Sequence, residues 1–366
     1  MANPPSRGRA SSPSVMRVLV VDDSSPSRLA LVSAMRRLPD IEITGAVGTI
    51  ADALAAIAQD QPDVVTVDKQ LDHEDGLDLI DLIFARFPNV TPVLVTAMTA
   101  EQIGPSLERL DGRAVEFLGK PSRGSRFEDW VVGPLASTLE RVRRNVRVRD
   151  TSIFGKVFTP RPMRSTELVW PDLILVGSST GGPAAVRAFL EHIPSDCTAP
   201  IVITQHMPPV FTKVFADQLD RRVDRSVFEA AEGDLLRPGG VWISPGDRHL
   251  TLSREGKVWQ THLDDRPHLH GCRPAVDHLF SSVADHFVGQ ITVVVLTGMG
   301  VDGRAGAQRL RDAGGRGVRV LAQSKETCAV WGMPAAIVDA HLADDTGSPE
   351  ELGSKLRFEN LFRRRT

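Results

Sequence analysis

Short runs of valine, isoleucine and leucine, each followed by turn residues and then by apolar residues at helical spacing, constrain this chain more than any other feature. That rhythm is the pattern of parallel α/β folds whose sheets are covered by helices on both faces. It fills two stretches that do not resemble each other. The first runs from Arg17 to about Glu140, with strand-like runs at Val18–Val21, Ile41–Val47, Val64–Val67, Val93–Thr96 and Val115–Leu118, which predicts a five-stranded doubly wound sheet. The second begins near Leu168, has runs at Leu173–Val176, Ile201–Thr204, Val241–Ser244, Ile291–Leu296 and Val318–Ala322, and ends near Asp345.

Two stretches suit the length, because 366 residues exceed one ordinary core and a 42% hydrophobic content can fill two. Between them Arg141–Thr166, rich in arginine and broken by Pro160 and Pro162, reads as a helix end leading into an extended connection. The expected organisation is a disordered tail at 1–15, one domain at 16–140, a linker at 141–167, a second domain at 168–345 and a polar tail at 346–366 ending in Arg363, Arg364 and Arg365. Charge is nearly balanced, 43 Lys+Arg against 46 Asp+Glu, so no overall basic field draws nucleic acid or anionic lipid. The scattered cysteines Cys197, Cys272 and Cys328 argue against a disulfide framework, and no apolar run has signal or membrane-spanning character. A cytoplasmic protein without membrane insertion is the expectation.

In open α/β sheets ligands gather at the carboxyl ends of strands, and in the first domain those ends carry Asp22, Asp23, Asp68, Thr96 and Lys120. Hard Mg²⁺ prefers carboxylate oxygens, so Asp22, Asp23 and Asp68 suit a Mg²⁺ site beside a phosphoryl acceptor, with Thr96 and Lys120 placed to hold phosphoryl oxygens. Acids at strand ends also solvate loops and cap helices, as Ser24 and Ser25 before Pro26 do; the ordered set goes beyond that. Val-Asp-Asp-Ser at 21–24, Asp68 after its strand, Thr96-Ala97 and Lys120-Pro121 resemble the response-regulator receiver family across 17–140. The resemblance implies that Asp68 accepts phosphate from a histidine kinase, that Asp22 and Asp23 help bind Mg²⁺, that Thr96 reports phosphorylation and that Lys120 contacts the phosphoryl group. The loop Asp68–Gly76 departs from the family's usual Met-Pro pair.

In the second stretch three motifs follow apolar strands: Gly177-Ser-Ser-Thr-Gly-Gly182, Thr204-Gln-His-Met-Pro-Pro209 and Leu296-Thr-Gly-Met-Gly-Val-Asp-Gly303. A serine nucleophile needs a base for its proton and an acid to orient that base, and Ser179, His206 and Asp302 on three strand-end loops meet that need. Ser179 would sit in a glycine-flanked turn at a helix start, where N–H groups and the helix dipole stabilise an oxyanion, which favours ester or amide hydrolysis. The order Ser, His, Asp is not that of α/β-hydrolases. On residue types alone, glycine turns made for close packing and a structural histidine stay open as the plainer reading.

Other readings fit less well. Gly298-Met-Gly-Val-Asp-Gly303 matches the dinucleotide fingerprint, but the next strand ends in Gln323 rather than the acid that would hold a ribose. The Gly177–Gly182 loop lacks the lysine of a P-loop, and His262, His268, His270 and Cys272 lack paired metal-ligand spacing. Arg141, Arg143, Arg144, Arg147 and Arg149 form the only local basic cluster, but no helix-turn-helix pattern follows them.

Together with Arg273-Pro-Ala-Val-Asp277 and Gly332-Met-Pro334, the three motifs closely resemble the catalytic domain of the chemotaxis protein-glutamate methylesterases, the CheB family, over 170–340. The resemblance implies a mostly parallel doubly wound sheet with a small antiparallel hairpin and catalytic Ser179, His206 and Asp302, with Thr180 and Met299 supporting the centre. It further implies a methyl-accepting chemoreceptor as substrate, glutamine deamidation on the same residues, Mg²⁺ for the receiver and no cofactor for the esterase. Ser178, Val301 and Arg304 depart from the family's usual residues.

Overall fold

A computed structural model describes residues 15–97, 100–110, 113–121, 126–149, 168–256 and 258–359. The chain divides into two compact units, Met1–Val95 and Thr96–Thr366.

The first sheet contains β1 (Met16–Val21), β2 (Ile41–Val47), β3 (Val64–Asp68), β4 (Thr91–Thr96) and β5 (Glu116–Gly119), in the order β2-β1-β3-β4-β5. Pairing is parallel from β2 through β4. The central strands read as continuous apolar runs because both faces are covered, and Val18, Val20, Val64, Val65, Val67, Val93 and Leu94 are fully buried. Helices α1 (Ser25–Met35), α2 (Ile50–Gln59) and α3 (Gly76–Arg86) begin at Ser24, Thr49 and Asp75, whose side chains each accept a first-turn N–H. Helices α4 (Ala100–Arg109) and α5 (Ala136–Arg149) follow.

The second sheet has seven strands, all parallel: β6 (Leu173–Ser178), β7 (Ile201–Gln205), β8 (Val227–Glu229), β9 (Val241–Ile243), β12 (Ile291–Val295), β13 (Val318–Gln323) and β14 (Asp345–Gly347). Between β9 and β12, β10 (His249–Glu255) and β11 (Val258–Asp264) form the antiparallel hairpin. The sheet order is β8-β9-β7-β6-β12-β13-β14. Alternation sorts its core: Ile174 and Val176 face α6 (Gly182–Glu191) and α7 (Phe211–Asp220), while Leu173 and Leu175 face α8 (Val276–Asp285) and α9 (Arg304–Gly314). Phe189 and Phe280 anchor the two sides, each fully buried.

The order reverses at β6: β7 lies on one side of it and β12 on the other. Loops leaving neighbouring strands there run in opposite directions and open a crevice at their carboxyl ends.

Two sequence expectations change. β8 and β14 were not anticipated, since three residues are too few to show a period. Residues 346–359 of the stretch expected as a polar tail instead complete β14 and carry a short helix at Pro349–Ser354 held by a reciprocal capping box between Ser348 and Glu351. Leu352 and Leu356 are fully buried there, so polar composition concealed a packed end. The helix end read at the start of the 141–167 interval is the end of α5, which runs through Arg149. Residues 1–14 of the tail expected at 1–15, the proline-bearing part of the linker at 150–167 and the arginines at 363–365 lie outside the described residues. Among the described residues no helix is long and apolar enough to cross a membrane.

Candidate active site

Ser179 follows β6 directly and is buried, and its backbone N–H donates to Thr297 O at 3.0 Å. The glycines around it answer to space: a Cβ on Gly182 would lie 1.9 Å from Gln205 Oε1, and one on Gly298 would lie 2.7 Å from Ser179 Cβ. Gly181 caps α6 with φ 75° and no side chain. The neighbouring hydroxyls are distinguished by their partners. Ser178 Oγ donates to Gln205 Oε1 at 2.7 Å, whereas Ser179 Oγ has no hydrogen-bond partner among the described residues. Gln205, which the sequence reading did not single out, ties the loops together: its Nε2 donates to Ser179 O at 2.8 Å and to His206 O at 3.2 Å.

His206 follows β7, and Asp302 lies in the loop after β12, so the three expected residues come from the strand ends around the switch point. His206 Nε2 is 2.8 Å from Asp302 Oδ2, with the side chains 3% and 2% exposed. Asp302 also accepts the N–H groups of Val276 (2.7 Å), Asp277 (2.8 Å) and Gly303 (3.0 Å), two of them from the start of α8. Burial alone would raise its carboxyl, but the bond from His206 and these donors outweigh burial and lower it. Burial would likewise lower the His206 imidazolium, yet the Cys272 sulfur and the Asp302 carboxylate outweigh it, and the ring is raised above its ordinary value. The other ring nitrogen, Nδ1, stands 3.5 Å from Cys272 Sγ.

Thr180 is buried and its hydroxyl donates to Glu116 Oε1, while Arg141 donates to the other oxygen of Glu116 at 3.0 Å and to Gly271 O at 3.2 Å. Met299 is buried in the loop that carries Asp302. Gln323, where a ribose-binding acid would stand, accepts the N–H of Thr297 at 2.7 Å. His262 pairs with Glu232 and Ser253, and His270 with Asp277.

In the first sheet Asp22 and Asp23 leave β1 and Asp68 ends β3; each offers a carboxylate oxygen, all within 4.8 Å of one another. Such an oxygen-only donor set fits a hard divalent ion such as Mg²⁺. Thr96 ends β4 buried, and Lys120 follows β5, its N–H donating to Thr96 O at 2.8 Å. The atypical loop after Asp68 folds as a tight antiparallel ladder, Gln70–Leu71 with Glu74–Asp75, closed by Asp72 at φ 50° and by Lys69 Nζ on Asp75 at 2.5 Å. A Cβ at Gly76 would meet Asp68 O at 1.9 Å, which explains the glycine.

Residues 18–131 match the response regulator receiver domain and residues 174–356 match the CheB methylesterase domain. Fold and matches together define a response regulator whose output domain is a hydrolase. The chain belongs to the CheB methylesterase family. A relative from Thermotoga maritima, named protein-glutamate methylesterase/protein-glutamine glutaminase, is 35% identical over 331 residues, covering 90% of this chain and 94% of the relative. One from Rhizobium etli with the same name is 38% identical over 320 residues, covering 87% and 89%. Among solved structures, the Thermotoga maritima CheB methylesterase catalytic domain shares 38% identity over 51% of this chain and 98% of that one, with a TM-score of 0.49.

Proposed function

We propose that this protein is a phosphorylation-activated protein-glutamate methylesterase that hydrolyses glutamyl methyl esters on chemoreceptors to glutamate and methanol, and that it also deamidates glutamine. The observation that carries the chemistry is the buried His206–Asp302 pair set at the same switch point as the Ser179 hydroxyl, which has no hydrogen-bond partner among the described residues. His206 takes the proton of Ser179 while Oγ attacks the ester carbonyl; the base then returns the proton to the departing methoxide, releasing methanol. Water, deprotonated by His206, hydrolyses the acyl-enzyme and frees both glutamate and Ser179. With glutamine the leaving group is ammonia. Asp302 holds the ring by Nε2, which leaves Nδ1 as the nitrogen for the Ser179 proton. The start of α6 at Gly181–Gly182 supplies a positive helix end for the developing oxyanion, with Thr180 and Met299 supporting the centre.

On the receiver, Asp68 accepts phosphate from a histidine kinase. Asp22, Asp23 and Asp68 would hold Mg²⁺, which supplies charge neutralisation during phosphoryl transfer. Thr96 and Lys120 then contact the phosphoryl group, and phosphorylation shifts the population toward a state open to the receptor. A first domain at 16–140, a second domain from 168 that runs past the expected 345 to take in the packed end at Leu356, and a cytoplasmic location belong to the same reading.

Labelling with a fluorophosphonate followed by intact mass measurement tests the nucleophile. One adduct on the wild type, mapped to Ser179 and absent from Ser179→Ala, is expected. An adduct on Ser178, or an unchanged yield in Ser179→Ala, contradicts the assignment.

A further inference from the structure

Leu269 and Cys272 exchange both backbone hydrogen bonds, at 3.0 and 2.8 Å, closing a two-residue turn in which His270 and Gly271 take φ of 54° and 74°. Glycine adopts such angles freely; histidine does so under strain, and here its ring is tied down, Nε2 lying 2.9 Å from Asp277 Oδ2. Asp277 in turn donates its N–H to Asp302, so the turn and the acid share one support. The turn delivers Cys272, buried, to Nδ1 of His206 at 3.5 Å. Both ring nitrogens are thus engaged, while the buried Ser179 hydroxyl has no partner among the described residues.

We infer that Cys272 is a positioning residue for the base: its sulfur holds Nδ1 of His206 in the resting enzyme, and this nitrogen must pass from Cys272 to Ser179 before the serine proton can be taken. This inference rests on the Ser179, His206, Asp302 reading of the site.

The charges around the ring agree with it. Asp302 faces Nε2 from the loop after β12, and Cys272 faces Nδ1 from the turn before α8. Arg141 of α5 lies beside the sulfur and pairs with Glu116 of β5, which also accepts from Thr180. His270 and Asp277 stand behind the turn. A sulfur accepting from Nδ1–H favours the protonated ring, so losing it lets His206 become a base at lower pH.

The test combines two measurements on the full chain. One is the pH dependence of kcat/KM for methanol release from methylated chemoreceptor membranes. The other is the ¹⁵N NMR titration midpoint of His206, recorded in the Ser179→Ala background so that it is independent of turnover. Cys272→Ala is expected to move the acid limb and the NMR midpoint to lower pH by about half a unit or more, and Cys272→Ser in the same direction by less. An unmoved midpoint in Cys272→Ala overturns the inference, as does a loss of kcat with an unmoved acid limb, which marks packing alone. Should the alanine variant fail to fold, the near-isosteric serine variant decides by the same sign. Retained methanol release in Ser179→Ala overturns the catalytic reading instead, and the NMR midpoint keeps that failure separate.

Discussion

Asp302 gathers four hydrogen-bond donors in a buried setting, and its removal should be felt in turnover more than in binding. Asp302→Asn is expected to lower kcat by roughly 10³ to 10⁴-fold with little change in KM, by loss of the useful tautomer of His206. A steady-state comparison of methanol release checks this. The same pair sets the pH response. His206 is raised above its ordinary 6.5, so the active, neutral base accumulates only as pH climbs through that raised value, and the acid limb of kcat/KM should lie above 6.5. For stability the signs are opposite. The raised His206 contributes fully below 6.5 and its contribution is lost as pH rises through the folded value. The lowered Asp302 contributes above 3.8, and that contribution is lost as pH falls through its folded value. Urea midpoints across the pH range test both signs, and a flat profile contradicts them. At this scale the sequence shows Ser179, His206 and Asp302 because each stands in a motif after a strand. Gln205 and Cys272 stay hidden because their roles depend on contacts 27 and 66 positions away along the chain.

At the scale of elements, the glycine loops and Gln205 decide whether the strand ends stay in register. Gln205→Ala removes the anchor between the two loops and leaves the Ser178 hydroxyl without its partner, so a destabilisation of about 1–3 kcal/mol is expected together with lower kcat. Ser348→Ala should behave differently. It opens the capping box of the last described helix, costs about 1 kcal/mol, and leaves kcat unchanged because that helix packs against the far end of α6, at Phe189 and His192, and not against the loops that carry Ser179, His206 and Asp302. Chemical denaturation and kinetics on both variants separate the two effects. Runs such as Val64–Val67 and Ile291–Val295 were legible because a buried parallel strand must be apolar on both faces. The three-residue β8 and β14 carry no such signal, and the packed end near Leu352 was masked by the polar residues that cap it.

At the scale of the whole molecule, the receiver is expected to govern the esterase through Asp68. Asp68→Asn should lose phosphodonor stimulation yet keep measurable basal turnover, and chelating Mg²⁺ should remove stimulation of the wild type in the same way. Both halves were legible because their residues sit in ordered sets at strand ends, Asp22, Asp23 and Asp68 in one sheet and Ser179, His206 and Asp302 in the other. The most direct measurement is methanol release from methylated chemoreceptor by the wild type and Ser179→Ala, each with and without a small-molecule phosphodonor and Mg²⁺. Release that rises with the phosphodonor and vanishes in Ser179→Ala is the expected result. Release that survives in Ser179→Ala, or no release by the wild type from any of a range of receptors, contradicts a phosphorylation-gated serine esterase.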